Sequence, residues 1–526
     1  MNLIDKLVAT YDPISAVRRA QAREALAYYE AARPSRHRKL ARDKSSGDML
    51  AWKSAPILRD QARALERNYD LARGAINVMV NKVIGPQGIT IEPLPRDKNG
   101  DIHEDYAQLL LSLWKNWRKI PEVTRTMDYA MAEQMTARTW FRDGECFAQV
   151  LEGSVQKLDH GTIVPLSLEL LEPDYCPFEY YDPAQNIWQG VQRNAWGQPT
   201  NFFVYRNYPG DKFFYPSLDQ VKAIPATRML HVATRDRLSQ LRGVSVFASV
   251  ISRLDDIKDY EESERIAAKI AASMAAYIKK GDPGTYQPTT AVDPVTGEAI
   301  PGSRRHLRMQ PGMIFDDLAP GEEIGTVDTK RPNVNLETFR SGQLRAVATG
   351  IGAGYGSISK SYDGSYSASR QEIVDQFDTY QTLTGHFVAR MSRPTWERFV
   401  NLAAALGIAP MPADLDRATI ADAFFQGPAM PWIDPLKEAE AQRLLVRCGF
   451  KSSTQVIRER NSNIHDVYGS LARERKLAQV DKLLLESDPA SAKGTPANES
   501  ALSDQATPTV YPSDPKPGEE NVSTIQ

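Results

Sequence analysis

Apolar spacing divides this chain into helices, a β segment, one long helix and a second helical half. From Pro56 to Ile84, Leu58, Ala62, Leu65, Tyr69, Ala72, Ile76, Met79 and Val83 recur every three or four residues. That is the period of a helix buried along one face. Pro56 suits the first turn, and Gly85, Pro86 and Gly88 end the pattern. Glu104–Arg118 carries Tyr106, Leu109, Leu110, Leu113, Trp114 and Trp117 on a second helix, and Met127–Phe141 forms a third. After Asp143-Gly144 the period drops to two. Cys146–Leu151, Leu166–Leu171, Gly190–Arg193 and Asn201–Arg206 read as strands, with a turn at Asn194–Gly197. Helices followed by a sheet make this part α+β.

Arg242-Gly243-Val244-Ser245 opens the longest helical pattern, with Ser245 as its N-cap. Phe247, Ile251, Leu254 and Ile257 form one apolar stripe; Ile266, Ile270, Met274 and Ile278 form another. Between them lie Asp255, Asp256, Asp259, Glu261, Glu262 and Glu264, and an alanine-rich face follows. Carried to Lys280, the helix spans roughly 50 Å at about 1.5 Å per residue. Neighbouring carboxylates on a helix point in different directions, so a solvated or channel-facing surface is expected, not a metal site. Residues 281–332 are rich in Pro, Gly and Thr, with strand candidates at His306–Arg308 and Met313–Phe315. They read as a small insert hung before a helix over Leu336–Thr349.

Gly350 to Arg370, GIGAGYGSISKSYDGSYSASR, then interrupts the helices. Its glycines permit positive φ and close approach. Three readings stand: a plain surface loop, a phosphate cradle from the GxGxG run, and a loop projecting into a pore. A cradle needs a preceding strand and a helix N-terminus opening on it, and here a helical pattern precedes. Beyond the loop a helix runs from Ala368 through Met391 to Pro394, and Trp396, Phe399, Val400 and Leu402 extend the stripe. Asp434-Pro435 starts another helix, Gly449 stops it, and Ser452 with Gln455 has capping-box spacing. A charged helix over Ile464–Leu485 follows. The last residues, 486–526, are too polar to bury a core.

The chain has 526 residues, 42% of them hydrophobic and 25% charged, enough for several domains. A net charge of −2 speaks against a strongly adhesive DNA-binding protein. Residues 14–46 are locally basic, as a solvated arm or a dock for an acidic partner or nucleic acid. Cys146, Cys176 and Cys448 are too scattered for a disulfide framework or a metal site. The opening MNLIDKLVATYDPIS lacks a secretory apolar core, and no run reaches the ~18 apolar residues of a membrane span. A soluble cytoplasmic product is expected. No nucleophile–base pair, HExxH or CxxC appears, so neither enzymatic activity nor a cofactor is expected. His231 reads as a core histidine, and Glu172 and Asp174 around Pro173 as turn formers.

Order and spacing of several segments resemble the phage portal proteins of the lambda type. They are Arg67-Asn68 with Ala75-Ile76 through Val83-Ile84-Gly85; Gln189-Gly190-Val191 with Gly197 and Pro199; and Pro225–Ser245. Gly350-Ile351-Gly352 with Tyr366-Ser367 and Ser369-Arg370, and the helices after Trp432, complete the set. The resemblance implies a mainly helical α+β portal fold with a β-rich wing, a two-helix stem, a small α/β clip and a helical crown. Carried over, residues 1–55 are a basic arm, 56–242 the wing, 243–280 and 336–351 the stem helices, and 281–335 the clip. Residues 352–367 are the tunnel loop, 368–433 the tunnel helix and the rest of the wing, 434–486 the crown, and 487–526 a disordered tail.

The resemblance further implies a closed homo-oligomer, typically of about twelve subunits, at one capsid vertex of the virion, assembled in the host cytoplasm. Double-stranded DNA is packaged and ejected through it. Implied partners are the large terminase subunit, which supplies the ATPase motor, the major capsid protein and scaffold, and the head–tail completion proteins. The tunnel loop would offer Tyr355, Lys360, Tyr362, Tyr366 and Arg370 to DNA, and the stem would turn Asp255, Asp256, Asp259 and Glu262 to the channel. DNA carries a negative charge every ~1.7 Å, so an acidic sleeve with sparse cations lets it slide. The alternatives left open are another virion component of the tail or baseplate, and a nucleotide-binding enzyme.

Overall fold

The computed structural model describes residues 44–211, 217–273, 277–280, 295–298, 322–325, 335–362 and 365–481, with a few positions between 10 and 18. The chain divides into two units, Met1–Pro435 and Leu436–Gln526.

In the first unit a helix begins earlier than the apolar period announces. Ser46 caps α1 (Gly47–Asn68) by accepting the Met49 N–H. Asp48 in the first turn accepts from Arg193 at 3.0 Å and from the Leu241 N–H at 2.7 Å. Residues 47–55, expected in the basic arm, are therefore helical, with Ala51 and Ala55 buried. Pro56 sits inside α1, not in its first turn. The helix then breaks at Tyr69, whose backbone is extended, before α2 (Asp70–Val83). The break turns the buried Tyr69 ring so that its hydroxyl donates to Glu261 at 3.4 Å. Next come β1 (Thr90–Pro93), α3 (Glu104–Trp117) and α4 (Tyr129–Asp143), both helices lying where periodicity places them. Trp114 and Trp117 stack at 4.7 Å, and Trp114 meets Trp396 and Phe399 edge-on.

The following strands are β2 (Glu145–Glu152), β3 (Leu166–Leu171), β4 (Ile187–Trp188), β5 (Val191–Arg193), β6 (Pro199–Tyr205), β7 (Val221–Pro225) and β8 (Met229–Ala233). They form two antiparallel sheets, β3-β2-β8 and β4-β5-β6-β7. The α+β reading therefore holds. β2 is central and mostly buried, which explains its imperfect alternation.

A buried ion pair joins these sheets to the next helix. Arg242 and Glu145 are 2.7 Å apart, with side chains 0% and 1% exposed. Arg242 also donates to the carbonyls of Gln189 and Cys176 and lies 3.9 Å over the Phe178 ring. The second Glu145 oxygen accepts the Gly243 N–H and pairs with His231 at 2.9 Å. Burial alone would raise the Glu145 pKa, but the Arg242 charge and the His231 hydrogen bond outweigh it and hold the carboxyl well below its usual range. Burial pushes the His231 pKa down, in keeping with its expected place in the core. Gly144 and Gly243 make the approach possible. A Cβ on Gly243 would lie 2.1 Å from the Gly144 oxygen, and Gly144 itself has φ 94°.

The long helix is shorter than expected. Ser245 caps a 3₁₀ turn over Val246–Ser249, and α5 (Ile251–Ser273) has 23 residues, about 35 Å. Tyr277–Lys280 is not helical; it forms β9, paired antiparallel with β10 (Glu322–Gly325). That partner lies some 40 residues onward, beyond the reach of a local period. The strand candidates at His306–Arg308 and Met313–Phe315 lie outside the described residues. α6 (Leu336–Ile351), the short α7 (Tyr355–Ser359) and α8 (Tyr366–Phe387) follow. A π-helical turn over Val388–Ser392 leads into α9 (Arg393–Ala405), and the wider turn accommodates Pro394. β11 (Ala423–Gln426) returns to pair with β1, a pairing absent from the sequence reading.

From the boundary onward, α10 (Pro435–Arg447), α11 (Ser453–Glu459) and α12 (Ile464–Val480) follow the sequence expectation, the last expected residues of α12, 482–485, lying outside the described residues. The Ser452–Gln455 capping box is formed. Little is buried there, and Leu444, Phe450, Leu477 and Val480 stay exposed. Residues 487–526, expected as a disordered tail, lie outside the described residues.

Glu133 on α4 is 0% exposed and ties α4 to two other segments. It accepts the Ile89 N–H at 2.7 Å and the Ser392 hydroxyl at 2.6 Å. Burial raises its pKa to about 7, against the partial relief of those two hydrogen bonds and of Arg118.

Two predictions follow from these buried charges. Arg242→Met leaves the Glu145 charge buried with its main partner gone, and should cost about 3–5 kcal/mol in urea unfolding. The double variant Glu145→Leu/Arg242→Met should recover part of that loss; equal midpoints for single variant and wild type would refute the lock. Glu133 binds its proton more tightly in the folded state. Its contribution to stability should be present below its ordinary value of 4.5 and lost as pH rises to about 7. Urea midpoints at pH 5 and pH 8 should therefore differ more for wild type than for Glu133→Gln.

Candidate functional site

The candidate site is built on the α5/α6 pair and the segment that leaves it. Leu254 and Ile257 bury one side of α5. The two helices run antiparallel: Arg253 donates to Gln343 at 2.8 Å, Tyr260 packs on Phe339 at 4.9 Å, and Glu261 pairs with Arg340 at 2.6 Å. Glu261 is thereby absorbed between the helices, and Glu264 is buried. Asp255, Asp256, Asp259 and Glu262 are all exposed. Asp255, Asp259 and Glu262 share one stripe by their spacing, with Asp256 at its flank. The six acids of the sequence cluster thus part into a packing pair and a four-carboxylate outer face.

The glycines after α6 serve helix ends and close packing. Gly350 lies inside α6, where a Cβ would stand 2.4 Å from a Val250 methyl. Gly352 ends the helix in the left-handed region at φ 71°, and the Ala353 N–H returns to the Ala348 carbonyl at 3.0 Å. Gly354 is the N-cap of α7. No strand precedes the run, so the GxGxG reading as a phosphate cradle fails on geometry.

The sequence treated residues 352–367 as one loop. The structure makes Tyr355–Ser359 helical and packs it inward, and starts α8 at Tyr366. Ile358 is buried, the Gly356 N–H donates to Glu372 at 2.9 Å, and Ser357 donates to Gln376 at 3.4 Å. Tyr355 is half-buried with the Arg345 guanidinium 5.1 Å over its ring, so it supports the segment from below. Lys360 ends α7 at φ 58°, a left-handed position held by a non-glycine residue, and it is exposed. Tyr362 is 65% exposed. Tyr366 opens α8, which Ser365 caps, and Arg370 is exposed one turn later. Of the expected loop, Lys360 and Tyr362 are exposed beyond α7. Glu372, Gln376 and Arg345, which hold α7 in place, were missed in the sequence because their partners, a backbone N–H, a serine hydroxyl and a ring, leave no spacing signature.

Among the described residues, no group of three or more His, Cys, Asp or Glu side chains is placed to hold a metal ion. No helix among them is long and apolar enough to cross a membrane. Glu172 holds the N-cap position of a 3₁₀ turn over Pro173–Tyr175 and Asp174 lies within it, as expected of turn formers, and both also pair with Arg63.

Residues 33–383 match the family model for phage portal proteins of the lambda family. A probable portal protein of Halomonas phage phiHAP-1 is 22% identical over 447 residues, covering 81% of each chain. Portal protein B of Escherichia phage lambda is 20% identical over 319 residues, 55% of this chain and 58% of its own. A chain from the neck of a native gene transfer agent particle is 10% identical with a TM-score of 0.42, over 78% of this chain and 98% of that one. A family model covering well over half of the sequence places this chain in the lambda family of phage portal proteins.

Proposed function

We propose that copies of this chain close into a ring at a capsid vertex and that double-stranded DNA passes along the outer face of α5 and past the exposed Lys360 and Tyr362. The observation that carries this reading is the arrangement of charge. Four carboxylates stand exposed on one face of α5, while Glu261 and Glu264 are taken inward. A polyanion meeting such a face is repelled at short range, with screening cutting the effect beyond about 8 Å. Lys360, Tyr362, Tyr366 and Arg370 then supply transient contacts between the end of α7 and the first turns of α8. Few cations around the throat avoid the many simultaneous phosphate contacts that would stall sliding.

The exposed apolar residues of the second unit support a ring as well. Leu444, Phe450, Leu477 and Val480 leave three short helices without a core of their own. In this reading the neighbouring copy covers them, and that segment forms the crown. The insert between α5 and α6 serves as the clip, where the terminase motor and later the head–tail completion proteins dock. The wing meets the major capsid protein and scaffold.

Two tests bear on this. Lys360→Glu should assemble normally, because Lys360 is exposed, yet change DNA packaging or retention. The effect per contact is on the order of 1 kcal/mol at close approach and shrinks with added salt. Unchanged packaging would remove Lys360 from the mechanism. Leu477→Asp/Val480→Asp should leave the first unit folded and shift sedimentation from ring toward monomer; rings of unchanged stability would show that the neighbouring copy does not cover these residues.

A further inference from the structure

The first unit carries an arginine-lined cleft of about 500 Å³ that the DNA path does not use. Its walls come from the end of α1 with Arg63 and Arg67, the start of α2 with Arg73, and α4 with Arg138 and Arg142. Most of these cations are already balanced. Arg63 pairs with Asp143 at 2.7 Å and Asp174 at 2.6 Å. Arg142 pairs with Asp143 at 2.7 Å and Glu66 at 3.1 Å, and Arg138 pairs with Glu66 and donates to Asn77. This network makes the floor rigid and nearly neutral.

Arg67 and Arg73 differ. Both are exposed at the mouth, and neither has an ion-pair partner among the described residues. Arg73 lies at the end of the first turn of α2, where the helix dipole disfavours a cation. Its position therefore adds nothing to helix stability, while it leaves an exposed guanidinium lining the cleft. Beside the arginines α4 presents Met135, 46% exposed, and one turn earlier Met131, 48% exposed. The cleft thus combines two uncompensated guanidiniums with an exposed methionine, Met135, and Met131 extends the apolar strip along α4 outside it.

We propose that this cleft docks a short acidic segment of a partner protein, its carboxylates on Arg67 and Arg73 and an apolar side chain on Met131 and Met135. Guanidinium groups match carboxylates in bidentate geometry, and exposed methionines adapt to varied apolar side chains. Duplex DNA fits less well. The site is concave, and Met135 in its lining has no counterpart on a phosphate backbone.

The test uses the full chain and a fluorescein-labelled peptide containing three aspartates around one leucine, read by anisotropy at low salt. Wild type should bind it and lose affinity as salt rises. Arg67→Glu/Arg73→Glu should weaken binding about tenfold or more, and Met135→Ser should weaken it less. A peptide with lysines in place of the aspartates should not bind. All variants change exposed side chains, so their unfolding curves should match wild type. Absence of binding at millimolar peptide, or affinity untouched by the arginine reversal, overturns the proposal. So does a 20-base-pair DNA duplex whose binding falls with Arg67→Glu/Arg73→Glu while the peptide's does not, since that outcome assigns the cleft to nucleic acid.

Discussion

Glu145 and Arg242 hold the first unit together at its most crowded point. Two charges removed from water cost several kcal/mol each unless every remaining hydrogen-bonding position is filled. Here the carboxylate also meets His231 and the Gly243 N–H, and the guanidinium meets two carbonyls and an aromatic face. Those partners come from β2, β8, the β4–β5 region and the chain entering α5. Their mutual satisfaction sets where α5 leaves the sheets. The outer face of α5 inherits its direction from this buried pair.

From that starting point, helix ends decide what is presented. α6 packs so closely on the turn before α5 that Gly350 has no room for a methyl group. Gly352 then reverses the chain, and α7 tucks Ile358 inward before the chain emerges at Lys360. Glu372 and Gln376 on α8 hold α7 from the other side. Lys360 and Tyr362 are thus carried between packed helices. Such a support keeps an exposed element in place without making it part of the core.

Charge is sorted by the same packing. Of the acids on α5, the one facing α6 meets Arg340, and those facing away stay in water. On the opposite kind of surface, the arginines of α1 and α4 are almost all neutralised by carboxylates beneath them. The near-neutral total of the chain therefore hides local surfaces of either sign.

Periodicity by itself determined the α+β class, the course of α3, α4 and α12, the capping box at Ser452 and the core place of His231, because local spacing suffices for each. The order of its segments also pointed to the portal family. The sequence did not determine that α1 starts at Gly47, that Tyr69 breaks the first helical pattern, or that α5 yields to β9. The first depends on Asp48 meeting Arg193 and Leu241, and the last on a strand some 40 residues away. Only the tertiary structure divided the glycine-serine-tyrosine stretch into a packed helix and exposed residues beyond it. Glycine, serine and tyrosine recur on both sides of Lys360, and burial against α8 is a contact that no local pattern records.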